Sequence, residues 1–319
     1  MPEHLLINPQ FMKQKKLLFY SLALGLLTSF IACKKDTTTN NGTDAGTEIS
    51  IHSDDQSLFT SEIDDVTNDA DAVLEVYSSV SGREMGSDTS ICGASISWNI
   101  ESNPQTATIT FNGSECFGKT RQGSIVISVP KGTKWSDAGA TVSVSIQNLK
   151  ITRLRDKKSV TINGTQTYTN VSGGLLKNLK SLQTITHSIA SDGFTITFDN
   201  GSQRSWKVAK KRVFTYDDGI VISTSGNHTD GNTEGIAEWG SNRFGTSFVT
   251  IISSPLIIKQ NCDFRLTSGT VKHMVGNVSA EVTFGLDKDG KPVDCPDTFY
   301  YKLVYTGSNG KTYTVIFPY

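Results

Sequence analysis

From Ser90 onward the chain alternates apolar and polar residues with a period of two. In Cys92–Ile100 the even positions are apolar (Cys92, Ala94, Ile96, Trp98, Ile100), and in Thr106–Phe111 the odd ones are (Ala107, Ile109, Phe111). Asn103-Pro104 interrupts the run, so the two segments predict an antiparallel hairpin. Its register sets Cys92 opposite position 115, and a one-residue bulge at Asn112-Gly113 is needed to bring Cys116 onto the same face. Further alternating segments cover 124–130, 141–151, 194–198, 204–216, 220–226, 233–239, 247–252, 262–274, 279–286, 299–305 and 311–317, with Gly and Asn between them, and 159–169 reads as a polar strand pair or a bend around Asn163-Gly164. The last two predict a hairpin about Gly307–Gly310, in which Phe299, Tyr301, Leu303 and Tyr305 share a face with Tyr313, Val315 and Phe317. Leu175–Ile189 fits two patterns: Leu175, Leu176, Leu179 and Leu182 sit at helical spacing, and a Thr/Ile run follows them.

One earlier stretch follows a different period. Phe59, Ile63, Val66, Ala70, Val73/Leu74, Tyr77 and Val80 recur every three or four residues, the signature of an amphipathic helix. Asp54 or Asp55 is placed to cap its start. Its acidic outer face (Glu62, Asp64, Asp65, Asp69) reads as a solvated surface rather than a calcium patch. The pattern as a whole predicts an all-β fold, an antiparallel sandwich or an open β-roll, with one N-terminal amphipathic helix.

The N-terminus adds an address. Lys13, Lys15 and Lys16 precede an apolar run from Leu17 to Ile31, which ends at Ala32-Cys33. The run is shorter than the roughly 20 residues of a spanning helix and suits a signal-peptide core. It resembles a bacterial lipoprotein signal, which implies lipidation of Cys33 and a membrane partner reached through that lipid. Met12 is then the expected start. Residues 1–32 read as the signal, 33–47 as a flexible tether, 48–82 as the helical segment and 83–319 as the β body, with 172–192 as the place where two subdomains would meet. Lys34 after the cysteine gives no inner-membrane retention signal, so the outer membrane is expected, facing the periplasm or the cell surface. Lys34-Lys35-Asp36 and Asp36-Thr37-Thr38 partly resemble a surface-export tag and an O-glycosylation triplet of Bacteroidetes.

Charge narrows the partners. Removing residues 1–32 takes Lys13, Lys15, Lys16 and Glu3 with it and leaves 27 basic and 30 acidic residues, with no basic stripe, so nucleic acid is not an expected partner. Cysteine usage fits export. Setting Cys33 aside leaves Cys92, Cys116, Cys262 and Cys295, an even number that points to disulfides. Of three pairings the sequence-local one, 92–116 with 262–295, is expected. A zinc site would need C-x-x-C or a nearby histidine, and neither is present. No metal or cofactor is therefore expected.

Several stretches together resemble an uncharacterised family of Bacteroidetes lipoproteins of about this length. They are Thr106–Val129, Gln147–Asn170, the helical QSLFTSEIDDV and Gly240–Gly269. The matching residues are Cys116, Gly118, Arg121, Gly123 and Ile125, then Asn242-Arg243-Phe244-Gly245, Cys262 and Ser268-Gly269. Glu115 stands where that pattern has glycine. The resemblance implies an envelope location and an all-β body, and it supplies no activity.

No catalytic motif stands out. There is no G-x-S-x-G elbow and no phosphate-binding glycine loop. His228-Thr229-Asp230 could orient one another as in a triad, but the surrounding SGNHTDGNTEG is turn composition. Asp287-Lys288-Asp289-Gly290 imitates the opening of a calcium loop without its later acids. Trp98, Trp135, Trp206 and Trp239 could stack on sugars, with Trp135 the surface candidate, but core packing is the favoured reading of the set. Arg121 and Arg243 could meet an acidic ligand, and hydrogen bonds to turn carbonyls explain them more simply. The expected function is a non-catalytic, lipid-anchored envelope protein that serves as a binding or structural module, with a glycan or an envelope protein as partner. A glycan-binding lipoprotein is the first alternative, followed by a lipid-handling module and a hydrolase.

Overall fold

The structure, a computed structural model, describes residues 45–79 and 91–319. Cys33, Met12, the Asp36-Thr37-Thr38 triplet and most of the tether lie outside the described residues. Helix α1 spans Ala45–Ser79, and its first turn falls within the expected tether. Asp54 and Asp55 lie inside it rather than at its cap. Upstream residues extend the helix because they gain tertiary contacts: Ile49 and His52 are buried, and Glu48 accepts a hydrogen bond from Asn242 at 2.8 Å.

Among the described residues fifteen strands follow. They are β1 (Ala94–Asn99), β2 (Gln105–Cys116), β3 (Lys119–Val129), β4 (Ala140–Arg153), β5 (Ser159–Asn170), β6 (Thr184–Phe198), β7 (Gln203–Tyr216) and β8 (Ile220–Gly226). Then come β9 (His228–Asp230), β10 (Thr233–Ser241), β11 (Ser247–Lys259), β12 (Arg265–Val275), β13 (Val278–Leu286), β14 (Tyr300–Thr306) and β15 (Thr312–Pro318). All belong to one antiparallel sheet whose neighbours are mostly consecutive in sequence. The exception lies between β7 and β11, where β8 and β10 fill one slot end to end. β10 pairs with Trp206–Val208 of β7, and β8 pairs with Lys210–Tyr216 of β7. Among the described residues β1 and β15 each pair on one side only, so the sheet is an open roll.

Local pattern sets the faces. Ala107, Ile109 and Phe111 of β2 are buried, as are Ile125, Ile127 and Val129 of β3. In the last hairpin Tyr301 faces Phe317, Leu303 faces Val315 and Tyr305 faces Tyr313, the register expected from the alternation. Leu175–Ile189 holds both of its patterns in turn. Leu176–Asn178 forms a 3-10 turn, α2 covers Leu179–Leu182, and β6 begins at Thr184. β5 and β6, which flank this connection, pair with each other in the sheet.

The structure pairs Cys92 with Cys116 and Cys262 with Cys295, with Cα atoms 6.1 and 5.3 Å apart. The register of β2 against β3 shifts between Asn112 and Glu115, where the first bridge requires a bulge. A second bulge lies in β4, where Asn148 and Leu149 stand opposite Gly123 of β3. Gly123 has φ +113°, and a Cβ at that position would meet the Asn148 carbonyl oxygen at 2.3 Å, which demands glycine.

The roll curves around α1. Strands β3, β5, β6, β7, β10 and β11 each aim a side chain at this one helix or at the cluster built on it, as the contacts below describe. Phe59, Ile63, Val66, Ala70 and Leu74 are fully buried in one cluster with Ile109, Ile125, Val144 and Ile162. Among the described residues no helix is long and apolar enough to cross a membrane.

Candidate functional site

The acidic face of α1 is not solvated. Glu62 and Asp69 are fully buried, and Asp55 is nearly so. The reason lies in the strands. Lys119 and Arg121 occupy inward positions of β3, in phase with Ile125 and Ile127, and Lys210 and Arg212 do the same in β7, in phase with Trp206, Val208 and Phe214. A cation placed inside must find an anion there, and α1 supplies it. Lys119 Nζ pairs with Glu62 and lies 2.7 Å from Asp65. Arg121 reaches Asp69 at 2.9 Å and Glu62 at 3.4 Å. Arg212 donates to Asp64 at 2.7 Å and to Asn68 at 3.2 Å. Lys210 meets Glu238 of β10 at 2.8 Å.

Two arginines grip the start of the helix bidentately. Arg153 donates to both Asp54 oxygens at 2.7 Å, and Arg243 donates to both Asp55 oxygens at 2.6 Å and to Asp199 at 2.7 Å. Burial works against the charge on Asp54, but hydrogen bonds from Arg153 and Lys158 prevail and hold its carboxyl at about 2. Burial likewise works against the charge on Arg121, and Glu62 and Asp69 outweigh it and raise its pKa. Arg121 and Arg243, candidates for an acidic ligand, are thus occupied by the helix.

A second buried cluster lies further along α1. Tyr168 donates to Asp71 at 2.6 Å and lies 2.6 Å from His187 Nδ1, itself 3.5 Å from Asp71. Trp135 packs on both rings, with centroids 5.0 Å from Tyr168 and 5.3 Å from His187. It is fully buried, not on the surface, because its loop folds inward and Asn170 donates to its carbonyl at 2.8 Å. Burial pushes Asp71 up to about 7 and His187 down to about 3. The cluster has the members of an acid–base relay, but it is sealed beneath the core.

His228 stands apart. It stacks on the Trp239 ring, centroid to centroid 4.1 Å, at the β9–β10 turn. Asp287 closes its own turn, accepting from the amides of Asp289 and Lys291 at 2.9 Å. Cys262 and Cys295 approach Asp294 closely enough to suggest a metal group, but their sulfurs are tied to each other.

The open space lies on the other side of α1. A cavity of about 140 Å³, partly open to solvent, separates the helix from the concave face of β7, β8 and β10–β13. Its helix wall carries Ser53, Gln56, Ser57, Thr60, Ser61, Asp64, Asp65 and Asn68, which fall on one side of α1. Its sheet wall carries Ile222, Ile252, Leu256, Val271 and Phe284. Lys210, Arg212, Glu238, Thr250 and His273 stand between the two. Gln56 donates to Glu238 at 3.1 Å and to Thr250, and Thr60 donates to Glu238 at 2.8 Å. Burial holds His273 neutral, at about 4. None of these residues stood out in the sequence. The signals that mark them are Ser53, Ser57 and Ser61 at four-residue steps, and cations in the apolar phase of a strand.

No protein-family profile, curated protein or solved structure matches this chain.

Proposed function

We propose that this chain is a lipid-anchored, non-catalytic binding module of the Gram-negative envelope, with the cavity between α1 and the β7–β13 half of the roll as its ligand site. The carrying observation is the asymmetric seat of the helix. Its apolar face joins the main core cluster, and a cavity with an apolar wall is left between its polar side and β7, β8 and β10–β13. Concave, largely apolar pockets with a few converging polar groups are the usual form of small-molecule sites. The lipoprotein-like N-terminus and the resemblance to Bacteroidetes lipoproteins support the location. Arg121, Gly123 and Arg243, which carry part of that resemblance, hold the helix and the bulge that shape the roll.

Among the alternatives, lipid handling gains most from the apolar cavity wall. The tryptophan platform of a glycan binder is not assembled, since Trp135 and Trp206 are fully buried and Trp98 stacks on Tyr77 at 6.5 Å. A hydrolase finds its best geometry at Asp71, Tyr168 and His187, beyond the reach of a substrate.

The anchor is tested by Cys33→Ser. Detergent-free fractionation should move the protein from the membrane to the soluble fraction, as loss of its acyl chains requires. Retention of the variant in washed membranes would remove the lipoprotein reading.

A further inference from the structure

We propose that the cavity takes a single-chain amphiphile with an uncharged, hydroxyl-bearing head, its chain against Ile252, Leu256 and Phe284 and its head against the serine-lined wall of α1. The inference rests on the reading of the cavity as the ligand site.

Three observations carry it. The first is the division of the walls. Ile222, Ile252 and Val271 are 5, 7 and 8 % exposed and sit in small apolar clusters, and each also lines the cavity. Side chains beside a void forfeit dispersion contacts that an apolar chain would restore. The second is size. An apolar cavity of about 150 Å³ accepts a benzene-sized molecule, so about 140 Å³, partly open to solvent, holds a few methylenes of one chain with the remainder at the opening, and has no room for the paired chains of a bilayer lipid.

The third observation is charge. Asp65 is taken by Lys119 at 2.7 Å, Asp64 by Arg212 at 2.7 Å and Glu238 by Lys210 at 2.8 Å. Arg265 donates to the carbonyls of Pro296, Asp297 and Tyr319, each at 3.1 Å. An ionised head would have to displace a partner in one of these arrangements and leave a charge uncompensated beside an apolar wall, which is unfavourable. A hydroxyl meets no such obstacle. Gln56 Oε1 is buried on the wall without a hydrogen bond of normal geometry and can accept from it, as can the neighbouring serines.

The test uses the full chain carrying Cys33→Ser, purified without detergent, and calorimetric titration with 1-monodecanoylglycerol, decanoate and glycerol below micelle-forming concentrations. Monodecanoylglycerol should bind at one site, decanoate at least about tenfold more weakly, and glycerol not measurably. Leu256→Trp, which fills the apolar wall, should weaken binding at least about tenfold, while Tyr313→Ser on the exposed β15 edge leaves it unchanged. Thr224→Trp serves as the second filling variant if Leu256→Trp fails to fold by circular dichroism. Equal binding in a folded, filled variant would overturn the proposal, as would decanoate binding as tightly as the glyceride, or no binding by the folded parent chain. Native mass spectrometry after exposure to envelope extract separates the two readings. An adduct lost in the filled variant, together with failure of the glyceride, would reject the ligand class and keep the site. Absence of any cavity-dependent adduct, with the glyceride also failing, would reject both.

Discussion

His52 lies on α1 between the rings of Trp206 and Phe248, at 5.7 and 4.5 Å, with neither ring nitrogen in a hydrogen bond of normal geometry. Burial, helped by nearby His273, takes its pKa down to about 3 despite the Gln56 amide. His187 sits at about 3 and His273 at about 4, again chiefly through burial. A histidine depressed in this way is neutral in both states above its ordinary value of 6.5. As pH falls below that, the unfolded chain takes up a proton that the folded chain refuses, and stability drains until the folded pKa is reached. Asp71, raised to about 7 by burial, acts in the opposite sense: the folded chain keeps a proton between its ordinary 3.8 and 7 that the unfolded chain releases. His52→Phe preserves the aromatic contacts and removes one of these groups. Proton uptake on unfolding at pH 5 should therefore drop by about one, which flattens the acid limb by about 1.4 kcal/mol per pH unit. Urea unfolding between pH 4.5 and 7 measures it, and an unchanged slope would mean that His52 is already charged in the folded protein.

Among the elements, α1 and β3 show how much of the site was legible. The apolar period of α1 and the alternation of β3 are both plain in the sequence, and the structure keeps them. What they conceal is that Lys119 and Arg121 fall in the inward phase of β3, so the acidic side of α1 could not face water. A pattern reading assigns charge to the outside, and it errs where two elements bury opposite charges against each other. The pairing is tested by Arg121→Met, which leaves Asp69 and part of Glu62 uncompensated in the interior. The expected loss is about 3–5 kcal/mol. Lys158→Ala removes a half-exposed partner of Asp54 and should cost less than about 1 kcal/mol. Chemical denaturation of the two variants gives the comparison, and similar losses would argue against a buried network. The hairpin elements were more transparent. The bulge between Asn112 and Glu115 follows from the parity of two cysteines, and the β14–β15 register follows from its alternating aromatics.

For the whole molecule, helix and roll are complementary in both surface and charge. Lys119, Arg121, Lys210 and Arg212 are 4, 6, 3 and 5 % exposed with the helix in place. Deleting residues 45–79 leaves these cations facing an interior that has lost Ile63, Val66 and Leu74 as well. The deletion variant should show no cooperative thermal transition and should bind a hydrophobic dye, as a loosely packed state does. A sharp transition in that variant would mean that the roll stands without its helix. The sequence by itself indicated the apolar alternation of the strands, the first and last hairpins and the expected local pairing of the cysteines. Those properties arise from short-period alternation and from contacts between consecutive segments. Only the tertiary structure decided that the helix lies inside the roll, that its acids are buried and that a cavity remains beside it. These depend on contacts such as Lys119 with Glu62, 57 residues apart, and Gln56 with Glu238, 182 apart. They also depend on the curvature of a sheet, which no local period encodes.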